Sequence, residues 1–229
     1  MNGHIPQTHR RTHALATVLA GALTFLCSAD PPATNLAPRK VQVAAGDLEG
    51  VFHVAADGIR LDQLRDRSTT TILATNAAPL FALTITNATT REHRIMTASE
   101  GWGEVDLRVD RHRLRLRWGA PLSEGLAGIA VSAIAALDQQ SSALRWTLHV
   151  DNRSTAWAVR QTVFPQLAVP ELAHDAAVLF PRGPGEVQRG LWRRPFTYRG
   201  NYPDGWCAMQ FLAAYREGES PVGVYLGFH

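Results

Sequence analysis

Between residues 105 and 118 the apolar side chains keep a spacing of two but change parity. Val105, Leu107 and Val109 fall on odd positions, while Leu114, Leu116 and Trp118 fall on even ones. In one continuous strand this slip would turn the second half's apolar side chains to the wrong face of the sheet. A hairpin turn at Asp110-Arg111-His112-Arg113 removes the conflict, because each arm then carries its apolar residues on one common face. Arg113, Arg115 and Arg117 line the polar face of the return arm. They read either as a basic binding stripe or as a solvated face opposite Asp106, Arg108 and Asp110, and the second reading is the preferred one.

The same period of two governs nearly every segment after Val41. Val51 to Val54 run into the turn signal Asp57-Gly58, after which Ile59 and Leu61 resume the alternation. The β-branched run at residues 69–73 predicts a short strand, and residues 80–85 predict another that Asn87 closes. Residues 128–137 are small and apolar, which suits a buried strand, although the alanines leave a helix open. Leu144, Trp146, Leu148 and Val150 alternate up to the polar turn at residues 151–154. Trp157, Val159, Gln161 and Val163 then lead to Phe164-Pro165. No amphipathic helix of ten residues stands out, and residues 209–215 form at most a short one. Many short strands between turns predict an all-β sandwich or barrel.

The first 29 residues read as a targeting signal. Arg10 and Arg11 precede an apolar run at residues 14–26, and Cys27-Ser28-Ala29 supplies small residues for cleavage after Ala29. The run is short for a membrane span, so the expectation is a secreted or periplasmic protein with no membrane span. Residues 30–40, rich in proline and alanine, read as a linker, leaving residues 41–229 as one domain. The leader holds two arginines and no acids, so the remainder carries 21 basic against 20 acidic residues. That balance implies no nucleic-acid partner. Cys207 alone would remain after cleavage, which excludes an internal disulfide and suits a small buried hydrophobe.

Catalytic signatures are scarce. There is no Gly-x-Ser-x-Gly elbow, and Gly183-Pro184-Gly185 lacks the lysine of a phosphate loop. His53, His93, His112, His149, His174 and His229 are scattered without metal-ligand spacing, so neither a metal nor another cofactor is expected. Glu100, Glu104 and Asp106 flank Trp102 and read as a solvated loop, while Asp204 sits in a turn-like Tyr202-Pro203-Asp204-Gly205-Trp206. Neither group identifies the facing carboxylate pair that glycoside hydrolysis needs.

The densest cluster of rings falls at residues 179–229, where Trp192, Phe196, Tyr198, Tyr202, Trp206, Phe211 and Tyr225 alternate with arginine, glycine and proline. Rings can stack on the C–H face of a pyranose, and Arg, Asp and Gln can meet its hydroxyls. The candidate residues are Trp192, Arg193, Arg194, Tyr198, Tyr202, Asp204, Trp206 and Gln210. The same residue types also suit a contact between domains.

The order of features carries a resemblance. A Leu-x-Trp-x-Leu-x-Val-x-Asn strand at 144–152 leads to Val163-Phe164-Pro165, then Leu179-Phe180-Pro181. Tyr202-Pro203, Met209-Gln210-Phe211, Tyr215 and the closing Gly-Val-Tyr-Leu-Gly-Phe-His run follow. This resembles the N-terminal galactose-mutarotase-like β-supersandwich of large secreted bacterial glycoside hydrolases, over residues 41–229. The resemblance implies a carbohydrate partner and a C-terminal catalytic barrel that would hold the family's acids. It carries over no catalytic residue, so this chain alone is expected to be inactive and truncated before the barrel. The histidine motifs of true mutarotases are missing. A free-standing carbohydrate-binding module is the alternative reading.

Overall fold

The computed structural model describes residues 37–194, 197 and 210–227, and among them every regular element is a strand. The first antiparallel sheet is formed in chain order by β1 (Arg39–Ala45), β2 (Leu48–Val54), β3 (Ile59–Asp66) and β4 (Ile72–Thr75). β5 (Ala82–Asn87) is the middle strand of a three-stranded sheet, between β6 (His93–Thr97) and the later β11 (Trp157–Val163). β7 (Trp102–Val109), β8 (Arg113–Pro121), β9 (Ile129–Asp138) and β10 (Ala143–Asn152) make a four-stranded meander. The last sheet has the order β13-β12-β14-β15, from β12 (Ala177–Phe180), β13 (Glu186–Arg189), β14 (Phe211–Arg216) and β15 (Val222–Gly227). No helix of the described residues is long and apolar enough to cross a membrane.

The parity switch resolves as expected. β7 and β8 pair with Val105 opposite Trp118 and Leu107 opposite Leu116, and the turn lies between Val109 and Arg113. The amides of His112 and Arg113 both donate to Asp110 Oδ1 at 2.9 Å. Those bonds, the His112 amide first, hold the Asp110 carboxyl below the usual carboxylate range. The same device recurs at strand ends. Asp66 Oδ1 accepts from the Ser68 and Thr69 amides, Asn87 Oδ1 from Thr89 and Thr90, and Asp138 Oδ1 from Gln140 and Ser141. An Asp or Asn that ends a strand captures the next free amides and so closes the hairpin locally.

Arg113, Arg115 and Arg117 are exposed on the outer face of the meander. Arg117 stands opposite Asp106, whereas Arg115 stands opposite Arg108 and reaches Asp110 only at 4.0 Å. Asp106 is also bound by Arg108 at 2.6 Å. The row is therefore a solvated, partly compensated face.

Three expectations need correction. Thr69 and Thr70 belong to a turn, not a strand, because Asp66 takes the Thr69 amide and Thr70 adopts a φ of 58°. Pairing with β3 starts only at Ile72. The described part of the 209–215 segment supplies β14 (Phe211–Arg216), not a helix, with Ala213 paired to Leu179 on one side and Tyr225 on the other. Glu104 and Asp106 lie in β7 rather than in a loop, and the Trp102 that they flank is buried. The alanine-rich segment at 128–137 is a strand. Ile129, Val131, Ala133, Ala135 and Leu137 point inward, and the small Ala133 and Ala135 sit opposite Leu116 and Leu114.

The core is one cluster of buried side chains drawn mainly from the first sheet, the three-stranded sheet and the meander. Phe81 meets the edge of Trp118 at 4.9 Å and of Trp102 at 6.2 Å. Both indole N–H groups are satisfied inside it, Trp118 by the Ala98 carbonyl at 2.9 Å and Trp102 by Thr97 at 2.7 Å. Two glycines are required by close approach. A Cβ on Gly58 would lie 2.1 Å from the Ser99 carbonyl oxygen, and one on Gly46 would lie 2.7 Å from that of Gln139. At the second position Gln139 Oε1 and Ser142 Oγ accept the Gly46 and Asp47 amides, which ties the β1–β2 turn to the β9–β10 turn.

Candidate functional site

The C-terminal sheet gathers the part of the ring-rich stretch that the structure describes. Of the candidate residues, Trp192, Arg193, Arg194 and Gln210 fall within it, while Tyr198, Tyr202, Asp204 and Trp206 lie outside the described residues, as does Cys207. Trp192 follows the Gly190 turn after β13, and the Arg193 amide bonds the Gly190 carbonyl at 3.1 Å. Its indole Nε1 donates to the Val169 carbonyl at 2.8 Å, and its ring packs against the core. With Val169, Val178, Leu191, Leu212 and Ala214 it lines an apolar hollow of about 230 Å³. The indole thus spends its one donor on the fold, and its observed role is packing.

The arginines here are held by neighbouring acids. Arg193 Nη2 lies 3.3 Å from Glu171 Oε1, and its Nη1 lies 3.5 Å from His174 Nε2. Arg189 donates to the Asp175 carbonyl at 2.8 Å and to both Glu217 carboxylate oxygens at 3.2 Å. Arg194 and Gln210 are exposed. Trp192 and Arg193 therefore come together with Glu171 and His174, two residues that the sequence did not single out for this place. A ligand reaching Arg193 would have to share it with Glu171, which weakens the arginine as a free donor.

A second cleft, of about 290 Å³, opens beside β15 and is lined largely by apolar side chains. Phe52, Leu64 and Leu73 come from the first sheet, Trp146 from β10, and Val224 and Tyr225 from β15. Trp146 meets Phe164 edge-on at 5.7 Å and lies 6.4 Å from Phe52. At the open side Tyr225 is 62% exposed and lies 5.3 Å from the Phe211 ring. Beside the Tyr225 hydroxyl, Ser141 and Ser142 supply the polar side chains of the lining, and the Ser142 hydroxyl already accepts from the Asp47 amide. Such a lining suits methyl and ring contacts and holds no carboxylate for proton transfer.

β15 ends the sheet order, so one of its edges has no strand beside it among the described residues. Its outward residues Gly223, Tyr225 and Gly227 carry no charge, which leaves the edge open to pairing. Tyr225 and Phe211 could be counted among the sequence's rings, but their placement on a strand edge comes from the β14–β15 register. Trp146 was legible only as one member of an alternating strand. Among the described residues no three His, Cys, Asp or Glu side chains are grouped so as to hold a metal ion.

No protein-family model matches the chain, and no curated protein matches it either. The fold and clefts define an antiparallel all-β domain with an apolar, ring-bearing C-terminal sheet.

Proposed function

We propose that this chain is a non-catalytic β-supersandwich domain, of the galactose-mutarotase-like kind, in an exported, glycoside-hydrolase-like protein. It docks a catalytic barrel against its C-terminal sheet and lends residues to sugar binding there. The observation that carries this reading is the apolar cleft along β15, with Tyr225 62% exposed at its mouth. Contiguous apolar surface of this sort, rimmed by polar groups, marks places where another surface docks. The order of motifs in the sequence supports the identity of the partner, and the acids needed for hydrolysis would come from that barrel.

The free-standing carbohydrate-binding module stays as a second reading because of one observation, the tilted Phe211–Tyr225 ring pair at the surface. Two rings so placed could stack on a sugar face. Two measurements separate the readings. The reading frame after the His229 codon should encode alternating strands and helices, and the isolated chain should bind the apolar dye ANS, less so in Tyr225→Lys. A stop codon at that point, together with a monomer that leaves ANS dark and binds glycans through Tyr225, would sink the docking reading in favour of the module.

A further inference from the structure

A third cleft, of about 410 Å³, lies away from β15, where the β2–β3 turn meets β6 and the loop before β7. Its volume is in the range of roughly 300–1,000 Å³ typical of small-molecule sites. Asp57, Arg94, Thr97, Glu100 and Ser123 supply its polar lining. The cleft is built rather than incidental. The Trp102 amide bonds the Asp57 carbonyl at 3.0 Å, and the Ile59 amide bonds Ala98 at 2.8 Å, so the turn is clamped onto the loop that carries Glu100. The Gly58 backbone is pressed on Ser99 so closely that no side chain fits between them.

Arg94 is fixed from three sides. Its Nε donates to Glu92 at 2.7 Å, its Nη1 to the Glu124 carbonyl at 3.1 Å, and its guanidinium carbon lies 4.8 Å from the Trp157 ring centroid. Nη2 makes no hydrogen bond among the described residues. By contrast, the carboxylates of Asp57 and Glu100 and the hydroxyl of Ser123 have no hydrogen-bond or ion-pair partner among the described residues.

The chemistry of the lining selects its ligand. Two carboxylates repel an anion, and Arg94, whose charge Glu92 already balances, acts as an N–H donor rather than as a free cation. A neutral molecule bearing several hydroxyls satisfies both, because each hydroxyl can donate to a carboxylate and accept from an arginine. Ile95, 70% exposed, adds apolar surface at the border of the cleft. We propose that this cleft is a subsite for a single neutral hexose unit, with Asp57 and Glu100 accepting its hydroxyls and Arg94 donating to them. The assignment rests on the carbohydrate reading above but uses a different face of the domain.

The test is titration calorimetry of the full chain with D-glucose, D-galactose and D-mannose, repeated with Asp57→Asn, Glu100→Gln and the double variant. At least one hexose should bind one-to-one, and the double variant should weaken it about tenfold or more, as loss of charge-assisted hydrogen bonds implies. Neither carboxylate has a structural partner here, so the thermal midpoints of the variants should match the parent. Absence of binding by all three hexoses overturns the subsite, and so does binding that survives in the double variant. Binding abolished by Tyr225→Ala instead would move the sugar to the β15 cleft, overturning the subsite while leaving the carbohydrate reading intact.

Discussion

The two ends of this domain use aromatic residues in opposite ways. Around Phe81 the rings of Trp102 and Trp118 are at most 1% exposed, meet edge-to-face, and have both N–H groups satisfied by backbone carbonyls. At the C-terminal sheet Trp192 is half-buried, as is Trp146 of β10 in the cleft beside β15, and Tyr225 stands largely in water. Ring count alone does not separate the two regions. What separates them is burial, the first rings lying inside the core cluster and Tyr225 projecting into solvent beside a strand whose outer edge has no neighbour among the described residues. The first region is organised for stability, and the second leaves apolar area for something else to cover.

The largest expected effect breaks or keeps this contrast directly. Trp118→Ala should cost about 3–5 kcal/mol in urea unfolding, the usual range for removing a fully buried large aromatic. Tyr225→Ala should change stability by no more than about 0.5 kcal/mol, as expected of an exposed position. If the two variants lose comparable stability, β15 is part of the core and the docking reading loses its basis. Trp192 should fall between them. Trp192→Phe keeps most of the ring but removes the donor to the Val169 carbonyl, a loss of about 1 kcal/mol. An unchanged unfolding midpoint would show that the bond to Val169 contributes little and that the indole donor is free for another partner.

Much of the first region was legible from sequence because its determinants are local. The parity switch at residues 105–118 required a turn, and Asp110 is the residue that closes it. Asn87 and Asp57-Gly58 were readable for the same reason. The β-branched run at 69–71 misled because strand propensity there loses to the capture of two amides by Asp66. Residues 211–216, within a stretch rich in helix formers, become β14 because β12 and β15 pair with it on both sides. The role of Trp192 depends on a carbonyl 23 residues away, which no local pattern records. The hexose cleft was hidden in the same way. Asp57 read as a turn residue and Glu100 as a loop acid, and only the packing of one turn on the other loop brings them together.

The smallest effect concerns the strand-end carboxylates and sharpens the contrast from the other side. Asp138 closes the β9–β10 turn, and the Ser141 hydroxyl and amide, with the Gln140 amide and Arg145, hold its pKa at about 2 against an ordinary 3.8. A carboxyl whose pKa is lower in the folded chain stabilises the fold above its unfolded value, and that contribution disappears as pH falls through the folded one. Glu49, bound by Arg65, and Asp66 and Asp110, bound by turn donors, shift the same way. The thermal midpoint should therefore decline from about pH 4 towards pH 2, with the carboxylates of the first sheet and the meander responsible. Asp138→Asn keeps the acceptor oxygen for the turn amides but cannot ionise, so its midpoint should start slightly lower at neutral pH and decline less steeply. A variant whose acid limb parallels the parent's would show that the Asp138 bonds do not distinguish the folded from the unfolded chain.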